Sequence, residues 1–211
     1  MTRADAILQW VKGPNVLDVG CAGHAVEPGS TYWLHGRLRA AFAQVVGIDS
    51  SAEHTALLRT LGYPNIHLQD AETFNLPERF DTIVAGELIE HLANPGLFLI
   101  RAREHLAPAG RVVLTTPYPF SLLYTLYALV KFPRTCQNPQ HTCWFCPRTL
   151  TELATRARLR VVHFDLIEDY RSENPSLAYR VFVRLIRWTR PLVPGRLRKN
   201  GMLFVLEASP G

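Results

Sequence analysis

The chain has 211 residues and a mass of 23.8 kDa, the size of one globular domain. Hydrophobic residues make up 47% of it and charged residues 19%, which excludes intrinsically disordered and collagen-like proteins. The formal net charge of +5 excludes a strongly basic, histone-like protein. The basic excess is confined to one end: residues 171–211 carry eight Lys and Arg against two Glu, whereas the first 170 residues carry 15 Lys and Arg against 16 Asp and Glu.

The sequence carries no sign of export or membrane insertion. Residues 1–13 lack the apolar core and the cleavage site of a secretory signal. The longest run without a charge, residues 117–130, is too short for a membrane span, which needs about 20 apolar residues. Four cysteines without a disulfide-rich framework fit a reducing compartment, so we expect a cytoplasmic protein.

Apolar runs alternate with segments of helical period along the chain, which is typical of a parallel α/β sheet. The predicted strands are residues 15–19, 45–49, 65–68, 80–85, 111–115, 160–165 and 202–207. The predicted helices between them are residues 34–43, 52–61, 95–106 and 148–158. The expected fold class is therefore α/β, with a doubly wound, mostly parallel seven-stranded sheet and helices on both faces, in a single domain over residues 1–211. Two additions, residues 117–147 and 175–200, do not fit this alternation.

The first four predicted strands end in small or acidic residues. In an open α/β sheet, ligands bind beyond the carboxyl ends of the strands. Gly20 and Gly23 follow the first strand, where the lack of a Cβ lets a ligand approach the backbone. Asp49 ends the second strand, where its carboxylate can accept two hydrogen bonds from a ribose diol. No third glycine follows Gly23 at the spacing of the dinucleotide fingerprint, which weakens a nicotinamide interpretation.

These strand ends resemble those of the class I S-adenosylmethionine-dependent methyltransferases, over residues 16–117. The matching stretches are VLDVGCAG, GIDSS, QDAE, FDTIVAGELIEHLANP and LAPAGRVVLTTP. The resemblance implies a Rossmann-like methyltransferase fold and S-adenosylmethionine as cofactor. It also implies these roles: Asp18 supports the glycine loop; Gly20, Cys21 and Gly23 line the methionine and ribose; Asp49, with Ser50 beside it, holds the ribose hydroxyls; Asp70 and Ala71 meet the adenine; Gly86 faces the sulfonium.

A cluster of metal-ligand residue types follows the fourth strand. If residues 87–91 are helical, Glu87, Glu90 and His91 lie on one face at i, i+3 and i+4 and can converge on one ion. His141, in the 117–147 addition, supplies a fourth ligand. Two carboxylates and two imidazoles suit a divalent cation such as Mg²⁺, Mn²⁺ or Zn²⁺, which would activate an acceptor hydroxyl. In the alternative hypothesis, His91 or His141 is a catalytic base that takes the proton directly.

The E-x-x-E-H stretch with its distal histidine is similar to the metal-binding set of small-RNA 3′-terminal 2′-O-methyltransferases. The same stretch also looks like the ubiquinone-pathway O-methyltransferases, which act on catechol-like rings. In both families the resemblance implies a metal that binds the acceptor oxygen beside the methyl donor. Because IEHL is also common in methyltransferases without a metal, the spacing leaves both hypotheses open.

A second metal hypothesis competes for His141. Together with Cys136, Cys143 and Cys146, this histidine provides three thiols and an imidazole, the ligand types of a structural zinc site. The C-x-x-C pair has a familiar spacing, but the outer spacings are short. Buried free cysteines are therefore the alternative.

Both additions allow more than one interpretation. Residues 119–133 are apolar on nearly every side, which fits either a wall that excludes water from a methyl-transfer site or a core helix. Within residues 177–199, Arg180, Arg184 and Arg187 form one stripe of an amphipathic helix. This basic insert could lie on an anionic membrane surface, contact RNA phosphates, or pack against the sheet with a solvated arginine face.

Taken together, these features predict an enzyme that methylates an oxygen of a small hydroxylated acceptor, whether catechol-like, apolar or sugar. Two alternatives stay open: a metal-dependent RNA 2′-O-methyltransferase, and a cofactor-binding scaffold without catalysis. The modest net charge weighs against the first alternative. The acidic strand ends Asp49 and Asp70 weigh against the second.

Overall fold

The computed structural model describes residues 2–23, 30, 32–131, 138–168, 177–188 and 192–210. Their strands form one seven-stranded sheet in the order β3-β2-β1-β4-β5-β7-β6. The strands are β1 Asn15–Val19, β2 Gln44–Asp49, β3 Ile66–Leu68, β4 Phe80–Gly86, β5 Leu106–Pro117, β6 Leu159–Ile167 and β7 Gly201–Ala208. The helices are α1 Arg3–Leu8, α2 Leu34–Ala41, α3 Ala52–Thr60, α4 Pro95–Glu104, α5 Leu122–Lys131, α6 Pro147–Arg156, α7 Leu177–Trp188 and α8 Gly195–Arg198.

Six of the seven strands end at the same edge of the sheet. Strands β1 to β5 pair in parallel, whereas β7 is antiparallel to both β5 and β6. Gly201 at the start of β7 is in register with Pro117 at the end of β5 and with Ile167 at the end of β6. The carboxyl ends of β1 to β6 therefore share one edge, here called the carboxyl edge. Both additions leave the sheet there.

The sheet is buried on both faces because alternate residues of each strand point to opposite sides. Leu17 of β1 packs in a core cluster with Phe98 of α4 and Leu150 of α6. Its neighbour Val16 packs on the other face with Ile7 of α1, in a cluster that also includes Leu38 of α2. The predicted doubly wound, mostly parallel sheet with seven strands is thus confirmed.

Helices α1 and α8 were not predicted, α5 lies where a core helix was one of two alternatives, and the helical condition set for residues 87–91 is not met. Helices α1 and α8 are too short, at six and four residues, to show a helical period, and α5 lies in the apolar addition. Residues 87–91 do not form an α-helix: Glu87 has a positive φ of 55°, and only Ile89–His91 form a 3₁₀ turn. In the described part of the chain, no helix is long and apolar enough to cross a membrane.

Candidate active site

The glycine loop after β1 bends back on itself at the carboxyl edge. Gly20 (φ +78°) and Gly23 (φ +59°) both have the left-handed backbone that favours glycine. The N–H groups of Gly20 and Cys21 donate to the carbonyl oxygen of Ile48, at 2.9 and 3.2 Å, which fixes the loop on neighbouring β2. The chain reverses its direction of travel across the sheet between β1 and β4, so the loop lies at the topological switch point where ligands bind in such folds.

The carboxylate of Asp49 is tied to this loop from the neighbouring strand. The Ala22 N–H donates to its Oδ2 at 3.1 Å, and the Ser51 N–H donates to its Oδ1 at 2.9 Å. Each carboxylate oxygen keeps further acceptor capacity, and the side chain is half-buried next to exposed Ser50. These two bonds hold the Asp49 carboxylate, a hydrogen-bond acceptor, at the edge where the diol of a ligand would lie.

A buried Asp–His pair lies beneath the glycine loop. Asp18 Oδ2 is 3.1 Å from His35 Nδ1, and the two side chains are 3% and 1% exposed. Burial raises the pKa of Asp18, and the hydrogen bond with His35 opposes that shift. The Cys21 thiol is directed into the same region, since a Cβ on Gly47 would lie 2.7 Å from Cys21 Sγ and 2.9 Å from His35 Cε1. Only the backbone of Cys21 can therefore line a ligand.

The loop after β3 is tied to the start of α4. Exposed Asp70 accepts a hydrogen bond at its Oδ1 from the Glu72 N–H, at 2.6 Å, and Ala71 between them is buried. The Glu72 carboxylate in turn accepts from the Asn94 N–H at 2.9 Å and from Asn94 Nδ2 at 3.0 Å. These bonds lower the pKa of Glu72 and hold the Asp70 loop at the carboxyl edge.

Gly86 ends β4 beside the first turn of α2. A Cβ at this position would lie 3.0 Å from Leu34 Cδ2, so the small residue allows the close approach of α2 to the strand. Trp33, immediately before α2, is 7% exposed and donates from Nε1 to the Cys21 carbonyl oxygen at 2.8 Å, whereas Tyr32 is 60% exposed. Trp33 is therefore part of the core beneath the loop.

Glu90, His91 and His141 meet beyond the end of β4. Each offers one donor atom, and the three atoms lie within 4.8 Å of one another. The imidazole rings of His91 and His141 stand edge to face with their centroids 4.6 Å apart. The structure thus brings together three of the four residues that were expected to share an ion.

Glu90 is held in this cluster by a threonine near the end of β5. Its side chain is 1% exposed, and Thr116 Oγ1, near the end of β5, donates to Oε2 at 3.0 Å. Within the described residues, no hydrogen bond reaches Oε1. Burial raises the pKa of Glu90, and the negative charge of Glu87 raises it further. Because a buried carboxylate oxygen without a partner is destabilising, a cation held by Glu90 and the two imidazoles fits this donor set.

The segment that carries His141 is fastened to the 3₁₀ turn by its neighbour Thr142. The Thr142 N–H and Oγ1 both donate to the Glu90 carbonyl oxygen, at 2.9 and 3.0 Å. The single proton of that hydroxyl is shared with the carbonyl oxygen of Leu92, which lies 2.6 Å from Oγ1. Bonds between residues 52 positions apart in the chain therefore hold the segment that carries His141 beside the 3₁₀ turn.

The expected place of Glu87 in the cluster is wrong. Its donor atoms are outside the group formed by Glu90, His91 and His141, although all four residues belong to the described chain. Glu87 Oε2 instead lies 4.0 Å from the Arg3 guanidinium. The physical reason is the backbone: a positive φ at Glu87 ends β4, so the i, i+3, i+4 face does not form.

The described members of the expected zinc site do not share one metal-binding group. Cys143 Sγ is 3.8 Å from the carbonyl oxygens of Ile89 and Glu90, and Cys146 is the N-cap residue of α6. Hydrogen bonds with Thr149 lower the pKa of Cys146, whereas burial raises the pKa of Cys143. The imidazole of His141 lies with Glu90 and His91 instead, and Cys136 is outside the described residues.

Aromatic side chains continue from the cluster toward the apolar addition. The His141 and Trp144 rings stand edge to face with centroids 5.8 Å apart, and Trp144 contacts Tyr124 of α5 in the same way at 5.0 Å. Helix α5 is not a plain core helix, since Leu123 is buried but Leu129 is 75% exposed. No local motif in the sequence points to Thr116, Thr142 or Trp144, because their contacts with the cluster are tertiary.

Comparison with known proteins gives a consistent family relationship. The family described as "Methyltransferase domain" matches residues 4–164. The "Ubiquinone biosynthesis O-methyltransferase" of Nitrobacter winogradskyi is 37% identical over 116 residues, which cover 52% of this chain and 41% of that protein. The chain therefore spans about two fifths of the length of this curated relative.

Solved structures share the fold over nearly the whole chain. A SAM-dependent methyltransferase from Archaeoglobus fulgidus has a TM-score of 0.65 at 18% identity, covering 97% of this chain and 90% of that chain. The N-methyltransferase NodS from Bradyrhizobium japonicum WM9, solved with S-adenosyl-L-homocysteine, has a TM-score of 0.59 at 17% identity, covering 99% and 86%. At these identities the similarity supports the fold alone.

Proposed function

The chain belongs to the methyltransferase-domain family, and from this premise we propose that it moves the methyl group of S-adenosylmethionine to an oxygen of a small hydroxylated acceptor. The observation that carries the proposal is the position of Asp49, which is held by the glycine loop at the switch point of the sheet. The Nitrobacter relative is named an O-methyltransferase, which supports oxygen as the acceptor atom.

In this proposal the carboxyl edge binds the cofactor through backbone and carboxylate groups. Gly20 and Gly23 leave room for the methionine and ribose, and Asp49 accepts hydrogen bonds from the ribose hydroxyls. Asp70, whose loop is tied to α4 through Glu72, takes the adenine side. Bound there, S-adenosylmethionine supplies an electrophilic methyl group. The residues align it and exclude water, which is the main protein contribution to an in-line displacement.

The acceptor hydroxyl must lose its proton, and we assign this step to the cluster of Glu90, His91 and His141. Either imidazole can accept a proton, and the buried carboxylate of Glu90 stabilises the positive charge that results. The same three residues would hold a divalent cation, which when bound lowers the pKa of a coordinated hydroxyl. The edge-to-face contact with Trp144 puts an aromatic side chain beside the cluster, which offers a ring-bearing acceptor a surface to pack on.

Methyl transfer to a catechol is the direct test of this function. Incubated with methyl-labelled S-adenosylmethionine, the protein is expected to convert a substituted catechol to a labelled aryl methyl ether, identified by mass spectrometry. The corresponding aromatic diamine, which keeps the ring but offers nitrogen, should take up no label. Label on the diamine, or label only on the 3′-terminal ribose of a short RNA supplied as a third acceptor, would contradict the proposal.

A further inference from the structure

The basic insert exposes large apolar side chains to an unusual degree. Among the described residues, the four most exposed large hydrophobic side chains are Trp188 and Leu192 (85% each), Leu177 (78%) and Leu129 (75%). Three of them belong to the insert, and the fourth belongs to α5, which packs against both α7 and α8. Exposed apolar side chains gathered in one region mark an interaction surface.

The exposed apolar side chains of helix α7 form one stripe. Leu177, Val181, Leu185 and Trp188 are spaced by four, four and three residues, which puts them on one face of an α-helix. Every one of them is more than half exposed. Val183, on the opposite face, is buried, so the helix packs on the protein through one side and presents the stripe to the outside.

Positive charge flanks the stripe. Arg180 and Arg184 are exposed and lie one position before Val181 and Leu185, so both stand along one border of the apolar face. The side chain of Arg187, expected to continue this row, lies outside the described residues. Residues 177–199 contain seven Lys and Arg and no Asp or Glu. The surface formed by the stripe, Arg180 and Arg184 is called the α7 surface below.

We propose that the α7 surface docks the protein on an anionic lipid bilayer. An apolar stripe bordered by arginines, with a tryptophan at one end, is the arrangement of a helix that lies in the plane of the membrane interface. The stripe buries its apolar side chains among the acyl chains, while the arginines reach the anionic headgroups. The inference is independent of the proposed methyl transfer, because it depends on this surface alone.

The α7 surface combines positive charge with an apolar stripe, and this combination favours a bilayer over RNA or a second copy of the chain. RNA phosphates would pair with the arginines but would leave the stripe of Leu177, Val181, Leu185 and Trp188 in water. A second copy of the chain would cover the stripe but would bring two arginine-bordered faces together, which repel each other. An anionic bilayer, with charged headgroups and an apolar interior, satisfies both parts of the α7 surface.

The surface also lies on the side of the molecule where the proposed chemistry takes place. The insert connects the end of β6 to the start of β7, and both lie at the carboxyl edge. Helix α5, which contacts α7, carries Tyr124 of the aromatic row that leads to His141. A protein docked through this surface would therefore hold the carboxyl edge near the membrane.

Co-sedimentation with vesicles tests the proposal. The full chain is expected to sediment with vesicles of phosphatidylcholine and phosphatidylglycerol, much less with pure phosphatidylcholine, and less as salt is raised. R180Q/R184Q should weaken partition by about fivefold for each arginine. V181S/L185S should weaken it at low and high salt alike, since it removes apolar insertion.

Matched variants on other helices control for nonspecific effects. R148Q/R156Q removes two exposed arginines from α6, and L57S/L61S removes an exposed leucine of α3 and the exposed leucine at its C-cap. Both double variants should leave partition unchanged. The proposal is overturned if the full chain does not bind anionic vesicles, or if the controls weaken binding as much as the α7 variants. If the protein binds single-stranded RNA but not vesicles, RNA replaces the bilayer as the partner of the α7 surface. If it does not bind vesicles but self-associates, and V181S/L185S abolishes that self-association, a second copy of the chain is the partner instead.

Discussion

H141A is expected to lower kcat for methyl transfer by roughly 10²- to 10⁴-fold, the usual effect of losing a positioned general base. His141 is one of two imidazoles in the cluster with Glu90, and its segment is fixed by Thr142, so the change removes a ligand or base without releasing the loop. Steady-state rates at saturating cofactor measure the loss. H163A, which changes a histidine on β6 away from the cluster, should keep full activity.

A chelator separates the two roles proposed for His141. If the cluster holds a cation, chelation abolishes activity, a divalent ion restores it, and H141A binds Mn²⁺ far more weakly than the wild type. If His141 is a base alone, chelation has no effect and the loss in H141A remains. Full activity of both H91A and H141A after chelation would contradict every role assigned to these histidines.

H35L is expected to cost about 3–5 kcal/mol of the free energy of unfolding at neutral pH, the typical cost of breaking a buried pair on one side. The substitution leaves the Asp18 carboxylate, 3% exposed, without the imidazole 3.1 Å away. Urea denaturation of wild type and variant measures the difference. D18N/H35L removes the stranded charge as well and should recover much of the loss.

The difference in free energy of unfolding between H35L and D18N/H35L, measured as a function of pH, tests the direction of the Asp18 pKa shift. Burial raises the folded-state pKa of Asp18 above its value in the unfolded chain. A carboxyl group with a raised folded pKa contributes stability below its unfolded pKa, and that contribution is lost as pH rises through the folded pKa. H35L should therefore approach the double variant as pH is lowered from 7 toward 4. If the difference in free energy of unfolding between the two variants grew as the pH was lowered, the raised pKa of Asp18 would be contradicted.

The sheet and the turn after β1 could be predicted from sequence because both depend on local patterns. Strands buried on both faces read as short continuous apolar runs, and the turn after β1 needs glycine where φ is positive. The positions of Gly20, Gly23 and Asp49 then follow from the common carboxyl edge of parallel strands. The confirmed fold is the direct consequence of these regularities.

The acceptor side of the site could be predicted only in part. The sequence spacing pointed to Glu90 and His91 as members of a metal-ligand cluster. The same spacing placed Glu87 in the cluster only if residues 87–91 were helical, whereas the backbone turns at Glu87 with a positive φ. The approach of the His141 segment depends on hydrogen bonds from Thr142 to a residue 52 positions earlier in the chain, and no periodicity reports such a contact. The pairing of Asp18 with His35 is equally tertiary, since the two residues lie on different elements.

Calorimetric titration with S-adenosylhomocysteine, the demethylated product of the cofactor, tests the central claim without knowledge of the acceptor. The wild-type chain is expected to bind it, and D49A should bind about 1–3 kcal/mol more weakly, since the ribose diol loses its acceptor. D165A, which removes an exposed carboxylate from β6, should bind like the wild type. Absence of binding by the wild type, or equal affinity of D49A and D165A, would contradict a cofactor site at the glycine loop.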